Sequence, residues 1–166
     1  MSSTSSTITE FDPLRLQHYL KTRLPGLQGE IRLERVGGGQ SNPTFFVDFD
    51  DRRMVMRKKP AGTLLPSAHA VDREHRVLEA LQQADLPVPR TLLFCADESV
   101  VGTPFYLMER LEGRVLTNPA LPETTPAERR AILLSMAQTL ARLHRVDWAA
   151  VGLADFGRPG DYFARQ

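Results

Sequence analysis

The sequence predicts an α+β fold: an antiparallel layer of five short strands with one intervening helix, followed by a long helix. Three stretches carry that prediction. Residues 32–59 read as strand, glycine-rich loop, strand, polar turn and strand. Residues 67–83 place apolar side chains at helical spacing, and two apolar strand-like runs follow at 91–96 and 104–109. Thr125-Pro126-Ala127-Glu128 is a capping box with proline at the first helical position, the start of a helix running to about Arg145. Five short strands with a single intervening helix make an antiparallel α+β layer.

In chain order, Met1 to Thr7 is serine and threonine without a basic or apolar core, so residues 1–8 read as a disordered tail and no signal peptide. Asp12-Pro13 supplies an N-cap acceptor and a first-turn proline. Leu16, Tyr19, Leu20 and Leu24 then recur at helical spacing until Pro25-Gly26. The strands are Arg32 to Val36, Thr44 to Phe49 and Met54 to Lys59, with Phe45, Val47 and Phe49 alternating onto one face. Pro60-Ala61-Gly62-Thr63 breaks the third strand, and a helix is expected from about Ser67 to Gln83. Asp85-Leu86-Pro87-Val88-Pro89 is an extended connector, because prolines and their preceding residues avoid helix. Strands at Thr91 to Ala96 and Pro104 to Glu109 flank a turn at Asp97 to Thr103. The chain after Val146 is irregular, with Gly152, Gly157, Pro159 and Gly160 close together.

Bulk composition narrows the function classes. The 166 residues suit one domain of ordinary size. A 42% hydrophobic, 25% charged chain of net charge +1 lacks the concentrated basic excess of a nucleic-acid or membrane-surface protein. No apolar run approaches membrane-spanning length. The single cysteine, Cys95, lies in the apolar run Leu92-Leu93-Phe94-Cys95-Ala96 and reads as a core residue. One cysteine excludes an internal disulfide framework and suits a reducing cytoplasm, so a cytoplasmic location is expected.

The chemistry sits in residues 32–74. Three consecutive glycines, Gly37-Gly38-Gly39, free the backbone from side chains, so its N–H groups can approach a polyanion. The third strand brings Arg57 back beneath that loop. A covering loop with a strand cation is the front half of a nucleotide phosphate site; a glycine-rich hairpin with a solvated basic end fits these residues equally well. Glu74 sharpens the choice. It falls within the apolar stripe Ala70, Val77, Leu78 and Leu81, where a carboxylate is costly unless paired. Arg57 is the nearest well-placed cation. The alternatives are a rim position reaching water, or local pairing with His75, Arg73 or Lys59.

With these residues placed, the chain resembles the aminoglycoside phosphotransferase superfamily, which includes choline kinases and the kinase-like domains joined to acyl-CoA dehydrogenases. The last group is the nearest in pattern. The resemblance rests on Gly38-Gly39-Gln40-Ser41-Asn42-Pro43-Thr44, Val55-Met56-Arg57-Lys58-Lys59-Pro60, Leu64-Leu65-Pro66-Ser67-Ala68-His69-Ala70, Arg73-Glu74 and Met108-Glu109-Arg110-Leu111-Glu112-Gly113, and spans about residues 30–166. It implies a protein-kinase-like N-lobe, a five-stranded antiparallel sheet with a packed helix over residues 9–110. A hinge and linker would occupy 111–125, and the first helix of a truncated helical C-lobe would follow at 126–166. Gly38, Gly39, Gln40, Ser41 and Asn42 would cover the ATP phosphates. Arg57 would take the place of the third-strand lysine, with Glu74 as its helix partner and Lys59 as a possible substitute. Met108 would back the adenine pocket, with the backbone of Glu109, Arg110 and Leu111 as the hinge.

The resemblance implies ATP and Mg²⁺ as cofactors and a small hydroxylated acceptor, such as a hydroxyacyl thioester, an amino alcohol or an aminoglycoside. Two look-alikes are set aside. His144-Arg145-Val146-Asp147 and Asp155-Phe156-Gly157 imitate the catalytic-loop and metal-binding motifs of protein kinases, but their aspartates are eight residues apart with no asparagine between. No catalytic residue or metal ligand is therefore expected in this chain, which reads as the front part of a longer kinase, inactive alone. The exposed apolar face of the helix over 126–145 is expected to favour self-association. The competing reading is a non-catalytic module that binds a nucleotide or a partner protein.

Overall fold

The computed structural model describes residues 10–37, 42–62 and 69–157. Helix α1 spans Pro13–Arg23, and the Asp12 carboxylate accepts the Leu14 N–H at its start. Five strands follow: β1 (Arg32–Arg35), β2 (Thr44–Asp48), β3 (Arg53–Lys58), β4 (Thr91–Cys95) and β5 (Phe105–Glu109). They form one antiparallel sheet in the order β1-β2-β3-β5-β4. The α+β class and the five-stranded antiparallel sheet are as the sequence predicts.

Strand alternation gives the sheet two chemically distinct faces. Phe45 pairs with Met56 and Met56 with Leu107, while Val47 pairs with Met54. All five are fully buried in one cluster with Leu16 and Leu20 of α1. The opposite face carries Thr44, Arg57 and Tyr106 in one cross-strand row and Phe46, Val55 and Met108 in the next. Helix α2 spans Val71–Gln83, and its first turn brings Glu74 to Arg57 of that second face. The basic end of β3 is therefore split. Arg57 belongs to the second face, whereas Lys58 falls on the core side, only 3% exposed. Its Nζ lies 4.0 Å from Glu10 Oε2 and over the Phe11 ring, and burial lowers its pKa.

Two boundaries differ from the sequence expectation. The turn expected at Asp97 to Thr103 contains a one-turn helix, α3 (Glu98–Val101). Asp97 accepts the Ser99 N–H, left-handed Gly102 closes the turn with an N–H bond to Glu98, and Val100 and Val101 are buried. Four residues are too few for a helical period to show in sequence. Helix α2 begins at Val71, because His69 adopts a left-handed backbone (φ 59) that ends any helix before it. The expected start at Ser67 lies outside the described residues.

The described chain divides into two compact units, 10–76 with 89–111, and 77–88 with 112–157. In the second, α4 spans Pro126–His144, with both halves of the Thr125–Glu128 capping box formed. Arg142 pairs with Asp85, Oδ2 at 3.6 Å, and Arg129 donates to the Leu121 carbonyl. No residue of α4 is buried: Leu133, Met136, Leu140 and Leu143 are 42–63% exposed.

Candidate functional site

The second sheet face assembles a polar cluster around one carboxylate. Arg57 of β3 stands between Thr44 of β2 and Tyr106 of β5, and Glu74 is one turn into α2. Arg57 Nε donates to Glu74 Oε2 at 2.9 Å and its Nη2 to Oε1 at 3.3 Å. Asn42 Nδ2 donates to Oε1 at 2.7 Å, and the Tyr106 hydroxyl donates to Oε2 at 3.0 Å. Four donors thus surround the two oxygens, which is how a carboxylate is tolerated on a packed helix face. Burial, followed by the Glu74 charge, raises the Tyr106 pKa well above the ordinary phenol range. His75 supports that phenol from the side, its ring 5.8 Å from the Tyr106 ring and 5.5 Å from Phe94.

The predicted pairing of Arg57 with Glu74 is present, and Lys59 does not replace Arg57 in it. With Nε and Nη2 committed to Glu74, the Arg57 Nη1 edge meets no acceptor among the described residues. Asn42, expected among the loop residues covering a polyanion, is 5% exposed and turns its side chain to Glu74. Gly38, Gly39, Gln40 and Ser41 lie outside the described residues. Tyr106 and His69 were not singled out in the sequence. Tyr106 had a usable signal: between Phe105 and Leu107 on a strand, it must point away from the core they enter.

At the end of β5 the backbone is partly occupied. Met108 pairs with Val55 on the second face. The Glu109 N–H donates to the Arg90 carbonyl at 2.8 Å, and the Arg110 N–H to the Arg53 carbonyl at 3.3 Å. The Arg110 guanidinium lies 3.6 Å over the Phe46 ring and 3.1 Å from Asp48 Oδ2. Leu111, 59% exposed, is the first residue of the expected hinge whose N–H has no acceptor among the described residues. Of the three N–H groups the sequence offered, the sheet leaves one.

The look-alike motifs belong to the second unit. His144 ends α4, and Asp147 Oδ1 accepts the N–H groups of Ala149 and Ala150 at 3.0 Å each, capping the turn that follows. Among the described residues no three His, Cys, Asp or Glu side chains gather as a metal site.

This arrangement of glycine-bounded hairpin, strand arginine and helix glutamate coincides with a family-wide match. The profile of the phosphotransferase enzyme family matches residues 32–166. The chain belongs to that family. Among solved structures, a protein of Ralstonia eutropha assigned as an aminoglycoside phosphotransferase superposes with a TM-score of 0.79 at 42% identity, covering 93% of this chain and 44% of that one. Mouse acyl-CoA dehydrogenase family member 10 is 49% identical over 152 residues, 91% of this chain and 14% of the relative. Chicken acyl-CoA dehydrogenase family member 11 is 46% identical over 160 residues, 94% of this chain and 20% of the relative. The chain thus spans a fifth or less of these two relatives and under half of the solved neighbour. The family and the kinase-like fold are those the sequence motifs suggested, including the likeness to proteins named for acyl-CoA dehydrogenases.

Proposed function

We propose that this chain forms the ATP-covering part of a small-molecule kinase, which transfers the γ-phosphate to a hydroxyl of a small acceptor. The observation that carries the reading is the Arg57–Glu74 pair, fixed by Asn42 and Tyr106 next to a glycine-rich hairpin, in a chain of the phosphotransferase family. An arginine held by two of its nitrogens presents the remaining edge in a fixed direction, a geometry suited to phosphate oxygens. The donors present fit ATP: a preset guanidinium for its phosphates, and the Leu111 N–H beside Met108 for the edge of its base. Mg²⁺, when bound, would offset charge on those phosphates. The described residues gather no ligand set for it. Its ligands and the base that orients the acceptor hydroxyl are proposed to come from sequence beyond the segment described.

On this reading the 166-residue chain alone transfers no phosphate. The likeness to acyl-CoA dehydrogenase family members favours a hydroxyacyl thioester as acceptor over an amino alcohol or aminoglycoside. A cytoplasmic setting suits the lone thiol, and no helix of the described residues is long and apolar enough to cross a membrane. Self-association through the open face of α4 is part of the same proposal.

The test pairs binding with turnover in the intact protein that carries this chain. Fluorescent ATP should bind and lose affinity on Arg57→Ala, and acceptor-dependent ADP release should be absent from the isolated chain. ATP binding without transfer to any hydroxylated acceptor in the intact protein would favour a non-catalytic nucleotide-binding module. Magnesium-dependent transfer by the isolated chain, abolished by Asp147→Asn or Asp155→Asn, would overturn the assignment.

A further inference from the structure

We propose that His69 is a positioning residue for Arg57, acting through the Asn42 amide; the proposal rests on Arg57 being the phosphate-facing cation of the reading above. Hydrogen-bond polarity runs one way along this chain of groups. The Glu74 carboxylate oxygens accept, so the Asn42 group facing Oε1 at 2.7 Å is the NH₂. That turns the Asn42 carbonyl oxygen toward His69 Nδ1, 3.0 Å away. A carbonyl oxygen only accepts, so Nδ1 carries a hydrogen, and neutral His69 is the Nδ1–H tautomer. Flipping the amide would set its oxygen against the carboxylate and its NH₂ against that ring hydrogen. With Asn42 5% exposed, water cannot relieve either mismatch.

Each group therefore fixes the next. Glu74 sets the orientation of the amide, His69 Nδ1–H holds the amide oxygen in place, and the amide holds Glu74 Oε1 from one side. Arg57 meets the same oxygen from the other side at 3.3 Å and the second oxygen at 2.9 Å. Tyr106 completes the carboxylate's shell, so Glu74 has one orientation in which all four donors are satisfied, and that orientation aims Nη1 of Arg57. The backbone of His69 supports a built feature: φ 59 lies in the left-handed region that a side-chain-bearing residue seldom adopts. Its carbonyl also accepts the Val71 N–H at 3.0 Å, so the turn that presents the imidazole is the turn that starts α2.

The experiment uses the intact protein with ¹⁵N-histidine labelling, together with titration of fluorescent ATP. At neutral pH the His69 ring should show a protonated Nδ1, and that resonance should move on Asn42→Ala. Replacing His69 by aspartate, which has no donor for the amide oxygen, should weaken ATP binding about three- to tenfold, the size of one net hydrogen bond. Replacing it by asparagine, nearly the same shape with a donor and tolerant of positive φ, should restore most of the affinity. Both variants are small and polar, so the contrast survives if a bulkier apolar substitution fails to fold. In an Arg57→Ala background the aspartate change should cost nothing further. A bare Nδ1, or equal ATP affinity in the two variants while Arg57→Ala still weakens binding, overturns the proposal and leaves the phosphate reading standing. An ATP affinity indifferent to Arg57→Ala sinks the phosphate reading and the proposal with it, whatever the ring tautomer.

Discussion

Replacing Glu74 by alanine removes the shared acceptor of four donors, and its cost can be assembled from their surroundings. Asn42 and Tyr106 are 5% and 2% exposed, so neither recovers a partner from solvent. Each buried donor left unsatisfied costs about 1–3 kcal/mol. Arg57 has 27% of its side chain exposed and Glu74 36%, so the ionic part is screened and worth at most about 1 kcal/mol. Glu74→Ala should therefore destabilise by about 2–7 kcal/mol, most of it from the two neutral donors. Arg57→Ala should cost less, about 1–2 kcal/mol, because Glu74 keeps Asn42 and Tyr106. Once Glu74 is gone, the second change removes little more, so the pair should couple by about 1 kcal/mol. Urea unfolding followed by far-UV circular dichroism measures all three variants; Trp148 lies in the other unit and is a poor reporter. The same cycle read in ATP affinity should be non-additive too. Additive unfolding costs, within about 0.5 kcal/mol, would refute the shared-acceptor account.

Leu111→Pro, which deletes the N–H that the sheet leaves open, should lower ATP affinity about tenfold while leaving the melting curve intact, whereas Leu111→Ala should do neither. Unchanged affinity in a folded proline variant would remove the hinge assignment. Tyr19 gives a pH signature. Burial raises its pKa to about 12, so the folded chain keeps a proton that the unfolded chain releases near 10, and stability should fall across that window. Thermal melts of Tyr19→Phe should show a shallower alkaline decline, and an identical decline would count against it. Substituting glutamate at both Leu133 and Met136 on the open face of α4 should reduce concentration-dependent association in sedimentation velocity; unaltered association would move the contact elsewhere.

How much of the fold could be read depended on whether one stretch held its own signal. Helix α1 and helix α4 carry their caps in sequence, Asp12-Pro13 and Thr125-Pro126-Ala127-Glu128, and both begin where those residues place them. The strands carry period-two patterns long enough to count. Helix α3 carries neither, since one turn contains no period, and its only clues are Asp97 and Gly102 at its ends. The start of α2 was lost for another reason. The left-handed backbone at His69, two residues before Val71, is a property of the turn and leaves no compositional trace.

The site was legible wherever a residue violated its local pattern. Glu74 stands out because a carboxylate interrupts an apolar stripe, and the cost of that interruption demands a partner, which Arg57 supplies at 2.9 Å. Tyr106 and Asn42 violate nothing. A tyrosine suits a strand and an asparagine suits a loop end, so neither implied that its polar atom would point at the same carboxylate. Lys58 shows the converse. Three consecutive cations at 57–59 look like one solvated end, yet period-two alternation alone should send the middle one to the core side, where it lies 3% exposed. Applied one strand further, the same alternation puts Tyr106 opposite Arg57 and away from Phe105 and Leu107. The two strand partners of Glu74, Arg57 and Tyr106, follow from register, and register is fixed by the core face.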